Sequence, residues 1–147
     1  MTSELMARAR RCSDEAETRA FGRELATSLL RGGLVSLEGE LGAGKTVFVG
    51  GLAEGCRLAK HSITSPSFVL AVEHGSGDPP LLHVDLYRLP DGAGMDDLGV
   101  EEALADGWLV AVEWGERLPE LLRRHAWRVV LRPAGDYGHR HVVDVID

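Results

Sequence analysis

The residues best placed to do chemistry are Gly39, Gly44, Lys45 and Thr46, which follow the spacing Gly-x-x-x-x-Gly-Lys-Thr. This pattern is typical of a phosphate-binding loop (P-loop), in which glycines let backbone N–H groups point at phosphate oxygens without obstruction from a Cβ. We expect the Lys45 ammonium to reach the β- and γ-phosphates of a nucleotide and the Thr46 hydroxyl to hold a magnesium ion. An apolar run before the loop and an apolar helical segment after it provide the context that this motif requires.

Two carboxylates that end apolar runs are candidates for the remaining chemistry. Glu113 follows residues 108–112, and Asp85 follows residues 81–84. A P-loop enzyme needs an acidic group near its magnesium, at the carboxyl end of a neighbouring buried strand. The run before Glu113 is the more apolar, as in a strand at the middle of a sheet, so we assign Glu113 to the metal, directly or through water. Asp85 is then free to orient or deprotonate the attacking water, and it is our candidate catalytic residue together with Lys45. For both acids, a solvated strand-end carboxylate is the alternative interpretation.

The histidines are not predicted to bind metal. His83, His139 and His141 lack metal-ligand spacing to a cysteine or another acid, so we assign them structural or solvent-facing roles. Trp114 adjoins the candidate metal acid and is the tryptophan most suited to a role in the site.

The elements that must position these residues predict an α/β fold of the P-loop NTPase type. Periodicity and turn signals predict strands at 34–38, 67–73, 81–86, 108–112, 127–131 and 141–146. Helices are predicted from a cap at Ser13 to about residue 31, and at 45–56, 98–105 and 116–124. We expect a mostly parallel central sheet flanked by helices, with an added antiparallel hairpin and C-terminal strands. The chain, residues 1–147, should form a single domain with residues 1–12 loosely ordered.

Net charge, apolar content and cysteine spacing predict which partners and which cellular location suit this chain. A net charge of −7 argues against direct binding of nucleic acid, so any link to RNA should run through a partner. The chain contains no run of 18 apolar residues and begins without the apolar core of a secretory signal, so we expect no membrane span. Cys12 and Cys56 are far apart, which suits a reducing compartment and predicts a cytoplasmic location.

Four stretches occur in an order that identifies a family resemblance. They are G-E-L-G-A-G-K-T at 39–46, S-P-S-F at 65–68, H-V-D-L-Y-R-L at 83–89 and V-E-W-G-E at 112–116. Together they resemble the TsaE (YjeE) family, the small bacterial ATPases of tRNA threonylcarbamoyladenosine biosynthesis. The resemblance extends from about Ser13 to the C-terminal strands. It implies binding of ATP with Mg²⁺, slow hydrolysis by the chain alone, and action with the TsaD and TsaB proteins. Those partners install threonylcarbamoyl on the adenosine beside the anticodon of ANN-decoding tRNAs, so tRNA would be met only indirectly.

The resemblance also implies roles for individual residues. Asp85 and Trp114 match positions important for ATPase function, and residues 65–68 match a switch-like segment. Thr46 and Glu113 match the magnesium ligands. The residues that match nucleotide contacts are Glu40, Leu41, Gly42, Ala43, Gly44, Lys45 and Thr46, with Thr18 in a helix and Arg140 near the C-terminus as further matches.

The chain departs from the family pattern at four positions, none of which removes a phosphate or metal ligand. Ser67 stands where threonine is usual, and Val47 stands where a second threonine is common. Gly115 replaces a common proline, which we expect to loosen the turn after Trp114. Gly50 replaces a frequent arginine, which puts any partner contact of that arginine in doubt.

Two other functions remain open from the residues. A small P-loop kinase would need an acceptor site and an arginine-bearing lid, but the insert at 91–106 contains no Arg or Lys. A nucleotide-binding interaction module without turnover is also compatible, because both carboxylates could serve binding alone. No N-K-x-D guanine-reading stretch is present, which favours adenine.

Overall fold

One seven-stranded sheet contains all the strands in the part of the chain that the computed structural model describes, residues 9–40, 44–59, 70–89, 98–133 and 141–146. The strands are β1 (Ala9–Cys12), β2 (Gly33–Glu38), β3 (Ala71–His74), β4 (Leu81–Asp85), β5 (Leu109–Glu113), β6 (Trp127–Pro133) and β7 (His141–Ile146). The helices are α1 (Glu15–Thr27), α2 (Lys45–Gly55), α3 (Val100–Ala105) and α4 (Glu120–Arg123), with a 3-10 turn at Gly115–Arg117.

The sheet is parallel at its centre and antiparallel at both sides. Its strand order is β1-β7-β6-β2-β5-β4-β3. Strands β4, β5, β2 and β6 run parallel, whereas β3 pairs antiparallel with β4, and β7 pairs antiparallel with both β6 and β1. The predicted α/β fold, with its central parallel strands, antiparallel hairpin and C-terminal strands, is therefore confirmed.

Both faces of the central strands are covered by apolar packing. On one face, Phe21 of α1 and Phe48 of α2 pack against a cluster that includes Leu37 of β2. On the other face, Val100 of α3 belongs to a cluster with Val110 of β5. Burial on two faces explains why β5 is a nearly continuous apolar run that ends in a charged residue.

Helices α1 and α2 cross at two glycines. A Cβ on Gly51 would lie 2.0 Å from the carbonyl oxygen of Arg19, and a Cβ on Gly22 would lie 2.4 Å from that of Phe48. At Gly50 the nearest atom to an added Cβ is 3.9 Å away, so that glycine has no such packing role. The close approach brings the buried side of α2, whose first turn follows the P-loop, against α1.

Three local expectations are corrected. Residues 9–12, expected to be loosely ordered, form strand β1 because their backbone pairs with β7. Asp14, not Ser13, caps α1, since its carboxylate accepts a hydrogen bond of 2.9 Å from the Glu17 N–H. The helix predicted at 116–124 is interrupted before α4, where Pro119 adopts an extended backbone conformation. No helix in the described ranges is long and apolar enough to cross a membrane.

Candidate functional site

The carboxyl ends of β2, β4 and β5 bring the candidate chemistry to one edge of the sheet. Asp85 and Glu113 are direct register partners on β4 and β5, and Glu113 is also the partner of Leu37 on β2. The P-loop follows β2, and α2 begins at Lys45 on the same edge. Its N-cap, Gly44, has a φ of 99°, a left-handed conformation that glycine adopts without strain. The parallel register therefore gathers residues that are far apart in the sequence.

The Lys45 ammonium is held in place by neutral groups. Its Nζ donates hydrogen bonds to the carbonyl oxygens of Gly39, at 2.5 Å, and Glu40, at 2.9 Å. The same Nζ lies 4.1 Å from the centroid of the Trp114 ring, a favourable position for a cation. Burial lowers the pKa of Lys45 and outweighs the surrounding carboxylates, of which Glu116 has the largest opposing effect. A buried ammonium of this kind gains most from a ligand that brings negative charge.

Thr46 and Glu113 form the second part of the site. The Thr46 hydroxyl donates to the Glu113 carboxylate, with distances of 2.9 Å to Oε1 and 3.0 Å to Oε2. Because the proton of the hydroxyl is directed at the carboxylate, its oxygen lone pairs remain available to a cation. Glu113 is only 4% exposed and is also contacted by His83, whose Nε2 lies 2.6 Å from Oε2. Oxygen donors of this chemistry suit a magnesium ion that also binds phosphate oxygens.

Asp85 lies beside Glu113 but has a different local role. It is buried, and its Oδ1 accepts a hydrogen bond of 2.8 Å from the Tyr87 N–H, which fixes the turn after β4. Its negative charge acts on Lys45, since it is among the groups that raise the pKa of that ammonium. The predicted residues Lys45, Thr46, Asp85 and Glu113 are thus gathered at one place.

The turn after β5 is packed tightly against its neighbours. Trp114 has a φ of 60°, and its ring lies 5.2 Å from that of Tyr87 and 4.9 Å from the Arg117 guanidinium. A Cβ on the next residue, Gly115, would lie 1.8 Å from the Ser36 hydroxyl oxygen. The expectation that Gly115 loosens this turn is therefore wrong, because the missing side chain allows the turn to approach β2 closely.

An ionic cluster around the buried carboxylate of Glu38 lies at the start of the P-loop, and sequence reasoning missed it. Glu38, the last residue of β2, accepts hydrogen bonds from Arg123 at 2.7 Å, Arg128 at 3.0 Å and the Ser36 hydroxyl at 2.9 Å. Burial alone would raise the pKa of Glu38, but these hydrogen bonds, those from Arg128 foremost, lower it to about 2. Glu38 directly precedes Gly39, whose N–H donates to Glu116 at 3.2 Å.

A cavity of about 390 Å³ adjoins this cluster. Alternation along β6 puts Arg128 on the sheet face opposite to Val129 and Leu131, which belong to the cluster packed against α1 and α2. The cavity lies beside the P-loop, and Gly39 and Glu40, whose carbonyl oxygens accept hydrogen bonds from Lys45, are among the residues that line it. Its lining residues are Glu38, Gly39, Glu40, Glu116, Arg128, Val130, Leu131 and Arg132.

The remaining predicted residues either have other contacts or lie outside the described residues. Thr18 is buried in α1, and its hydroxyl oxygen lies 3.4 Å from the Asp14 carbonyl oxygen, to which it donates. Its hydrogen-bond partners in the described ranges are Asp14 and Cys12. Leu41, Gly42, Ala43, Arg140 and the segment 65–68 lie outside the described residues. Within them, no group of three or more His, Cys, Asp or Glu side chains could hold a metal ion alone.

The contact between His83 and Glu113 was also missed. His83 pairs with Ala111 on β5, two residues before the pairing of Asp85 with Glu113. The signal was present as His-x-Asp at one strand end and Ala-x-Glu at the other. The contact can be recognised from these two patterns only if β4 and β5 are known to be parallel neighbours in this register.

Comparisons with known proteins point to a single family. A family model described as threonylcarbamoyl adenosine biosynthesis protein TsaE matches residues 12–142. A Streptomyces coelicolor protein named tRNA threonylcarbamoyladenosine biosynthesis protein TsaE is 47% identical over 130 residues, which cover 84% of this chain and 86% of the relative. A Bacillus subtilis protein of the same name is 37% identical over 120 residues, or 82% of this chain and 74% of the relative. The crystal structure of Bacillus subtilis YdiB superposes with a TM-score of 0.73 at 30% identity, covering 94% of this chain and 84% of that one.

Proposed function

The chain belongs to the TsaE family of tRNA threonylcarbamoyladenosine biosynthesis proteins, and from that premise we propose that it is a magnesium-dependent ATPase. It binds ATP and hydrolyses it slowly alone, and faster with its partners. Hydrolysis supports threonylcarbamoylation of the adenosine next to the anticodon in ANN-decoding tRNAs, through the TsaB–TsaD complex. The observation that carries the proposal is the hydrogen bond between Thr46 and Glu113 beside the buried ammonium of Lys45.

Lys45 and the start of α2 bind the phosphates in this proposal. The carbonyl oxygens of Gly39 and Glu40 fix the ammonium in place, so little side-chain entropy is lost when an anion arrives. The first N–H groups of α2 and the helix dipole favour negative charge at the same position. The bound phosphates in turn bring negative charge to the buried Lys45 ammonium.

Thr46 and Glu113 hold the magnesium ion, Glu113 directly or through a water molecule. When bound, the ion neutralises charge on the phosphates and on the leaving group. Phosphate oxygens and water would complete its coordination, as is usual for magnesium with nucleotides. Asp85, the register partner of Glu113 at the end of β4, orients or deprotonates the water that attacks the γ-phosphate.

The acidic charge of the chain supports indirect contact with tRNA. A surface with a net charge of −7 lacks the cationic excess that binds phosphate backbones, so the protein partners make that contact. We place this activity in the cytoplasm, where tRNA is modified. Direct tRNA binding with a Kd of about 1 µM or tighter at physiological salt would contradict this part of the proposal.

Phosphate release from magnesium-ATP, measured with and without the partner proteins, tests the activity. We expect partner stimulation, and a loss of at least about tenfold in Glu113→Ala. Glu102→Ala is the matched control, because Glu102 is an exposed acid on α3. The proposal fails if partners do not stimulate turnover or if both variants behave alike.

Nucleotide binding by Lys45→Ala tests the phosphate site separately. We expect binding or turnover to be abolished, because the substitution removes the ammonium at the start of α2, the end of the helix at which the phosphates bind in this proposal. Retention of both within about twofold would refute the assignment of the P-loop. Transfer of labelled phosphate to a small acceptor would instead identify a kinase.

A further inference from the structure

A fully buried histidine at the centre of β4 needs a physical explanation. His83 is 0% exposed, and it is the one polar side chain among the residues of that strand before Asp85. An imidazole in a dry interior costs free energy unless both nitrogens are paired, and a leucine would fill the position without that cost. The polar group must therefore provide an interaction that the apolar core does not.

The two ring nitrogens of His83 have different surroundings. Nε2 lies 2.6 Å from Oε2 of Glu113, whereas Nδ1 is buried and has no hydrogen-bond partner in the described part of the chain. An ionised carboxylate can only accept, so Nε2 carries the proton and donates it. Among the described residues, the hydrogen bond to Glu113 is thus the one that this ring makes, and an unsatisfied nitrogen is tolerated for it.

This contact restricts the Glu113 carboxylate. Oε2 accepts hydrogen bonds from His83 and Thr46, whereas among the described residues the hydrogen bond to Oε1 comes from Thr46. Two donors on fixed elements, one on β4 and one on α2, determine both the position and the plane of the carboxylate. More acceptor capacity remains on Oε1 than on Oε2.

We propose that His83 is a positioning residue that orients Glu113, so that its Oε1 and the Thr46 hydroxyl face the magnesium ion together. The inference rests on the proposed function, because it assigns a role in binding the metal that accompanies the nucleotide. His83 itself does not touch nucleotide or metal. Its effect is on the magnesium dependence of nucleotide binding, since partners behind a metal ligand typically change metal affinity by about 10–100-fold.

Three substitutions separate this role from a purely structural one. His83→Leu removes the donor and keeps an apolar side chain in the core. His83→Gln keeps a donor, because the glutamine amide nitrogen reaches about as far as Nε2. His83→Asn keeps polarity, but its shorter amide reaches only about as far as Nδ1. His74→Leu is the control for loss of a histidine, since His74 lies at the end of β3 and is not hydrogen-bonded to Glu113.

The measurement is equilibrium binding of a fluorescent ATP analogue, in EDTA and at increasing magnesium concentrations. In His83→Leu and His83→Asn we expect the half-saturating magnesium concentration to rise about tenfold or more, with binding in EDTA unchanged within about twofold. His83→Gln should stay within about threefold of the wild type, and His74→Leu should match it. If the leucine variant does not fold, the comparison of the asparagine and glutamine variants decides the question.

The outcomes distinguish the two proposals. If the wild-type protein binds nucleotide and magnesium tightens that binding, but His83→Leu and His83→Asn keep the wild-type magnesium dependence, the positioning role is wrong and the ATPase proposal stands. Equal losses in the glutamine and asparagine variants would also overturn the role of the donated hydrogen bond. If the wild-type protein shows no magnesium-dependent nucleotide binding, the ATPase proposal is overturned and the positioning role with it.

Discussion

The ionic cluster at Glu38 makes the stability of the protein dependent on pH in a direction that the structure specifies. The perturbation is Glu38→Gln, which keeps the size of the side chain and removes its charge. In the folded protein the pKa of Glu38 is about 2, against an ordinary value of 4.5. A group whose pKa is lowered by folding contributes stability above its unfolded pKa and loses it as the pH falls through the folded pKa.

The size of the effect follows from this pKa difference. A decrease from 4.5 to about 2 corresponds at most to ~3.5 kcal/mol, at 1.4 kcal/mol per pKa unit. The arginine side chains are 30% and 36% exposed, so water weakens their interaction with Glu38, and ~2 kcal/mol is the better expectation. At pH 3, more than half of this contribution should be lost, because that pH lies well below the unfolded pKa.

Urea unfolding of the wild-type protein and Glu38→Gln at pH 7 and pH 3 measures this contribution. We expect the wild type to be more stable by ~2 kcal/mol at pH 7 and by less than ~1 kcal/mol at pH 3. Glu73→Gln on the edge strand β3, an exposed acid, is the control and should show little difference at either pH. A difference between wild type and Glu38→Gln that is the same at both pH values would refute the reasoning, because the charge would then not be its source.

Three further predictions concern close packing and buried thiols. Gly51→Ala should destabilise the protein by about 1–3 kcal/mol, because the added Cβ meets the backbone of α1 at the helix crossing, whereas Gly50→Ala should be neutral or stabilising by up to ~1 kcal/mol. Denaturant unfolding compares the two variants, and equal effects would contradict the crossing geometry. Gly115→Ala should lower nucleotide affinity as well as stability, since the added Cβ would displace Ser36 on β2. A nucleotide-binding titration measures the affinity, and a folded variant with wild-type affinity would contradict the prediction. Burial raises the pKa of the Cys56 thiol to about 11, so a thiol reagent at pH 8 should label it only in denaturant, and rapid labelling of the native protein would contradict its burial.

The parts of the site that could be predicted from the sequence are those encoded locally. The P-loop contains its glycines, lysine and threonine within eight residues, and the strand before it is recognisable from its apolar run. Asp85 and Glu113 could be identified because each ends a buried strand, and parallel strands end at the same edge. Family resemblance then related these local signals to one another.

The features that escaped prediction depend on register between distant strands. Arg128 reaches Glu38 only because β6 pairs with β2, and Arg123 reaches it from α4, the helix before β6. The contact of His83 with Glu113 depends in the same way on the pairing of β4 with β5. Strand β1 has too few residues for a periodic signal and is formed by its pairing with β7. Backbone propensity carries no information about such pairings, so they require the tertiary structure.

The central position of β2 has a consequence for biosynthesis. The strand ends at residue 38, yet its two neighbours, β5 and β6, begin at residues 109 and 127. On the ribosome, β2 and the P-loop therefore emerge long before either strand that flanks β2, and the backbone N–H and C=O groups of β2 have no native strand partner until then. The site proposed for the nucleotide is complete only after Glu113 and the arginines that pair with Glu38 have been synthesised. Stabilisation of the fold by the proposed ligand would then belong to the final stage of translation or to the released protein.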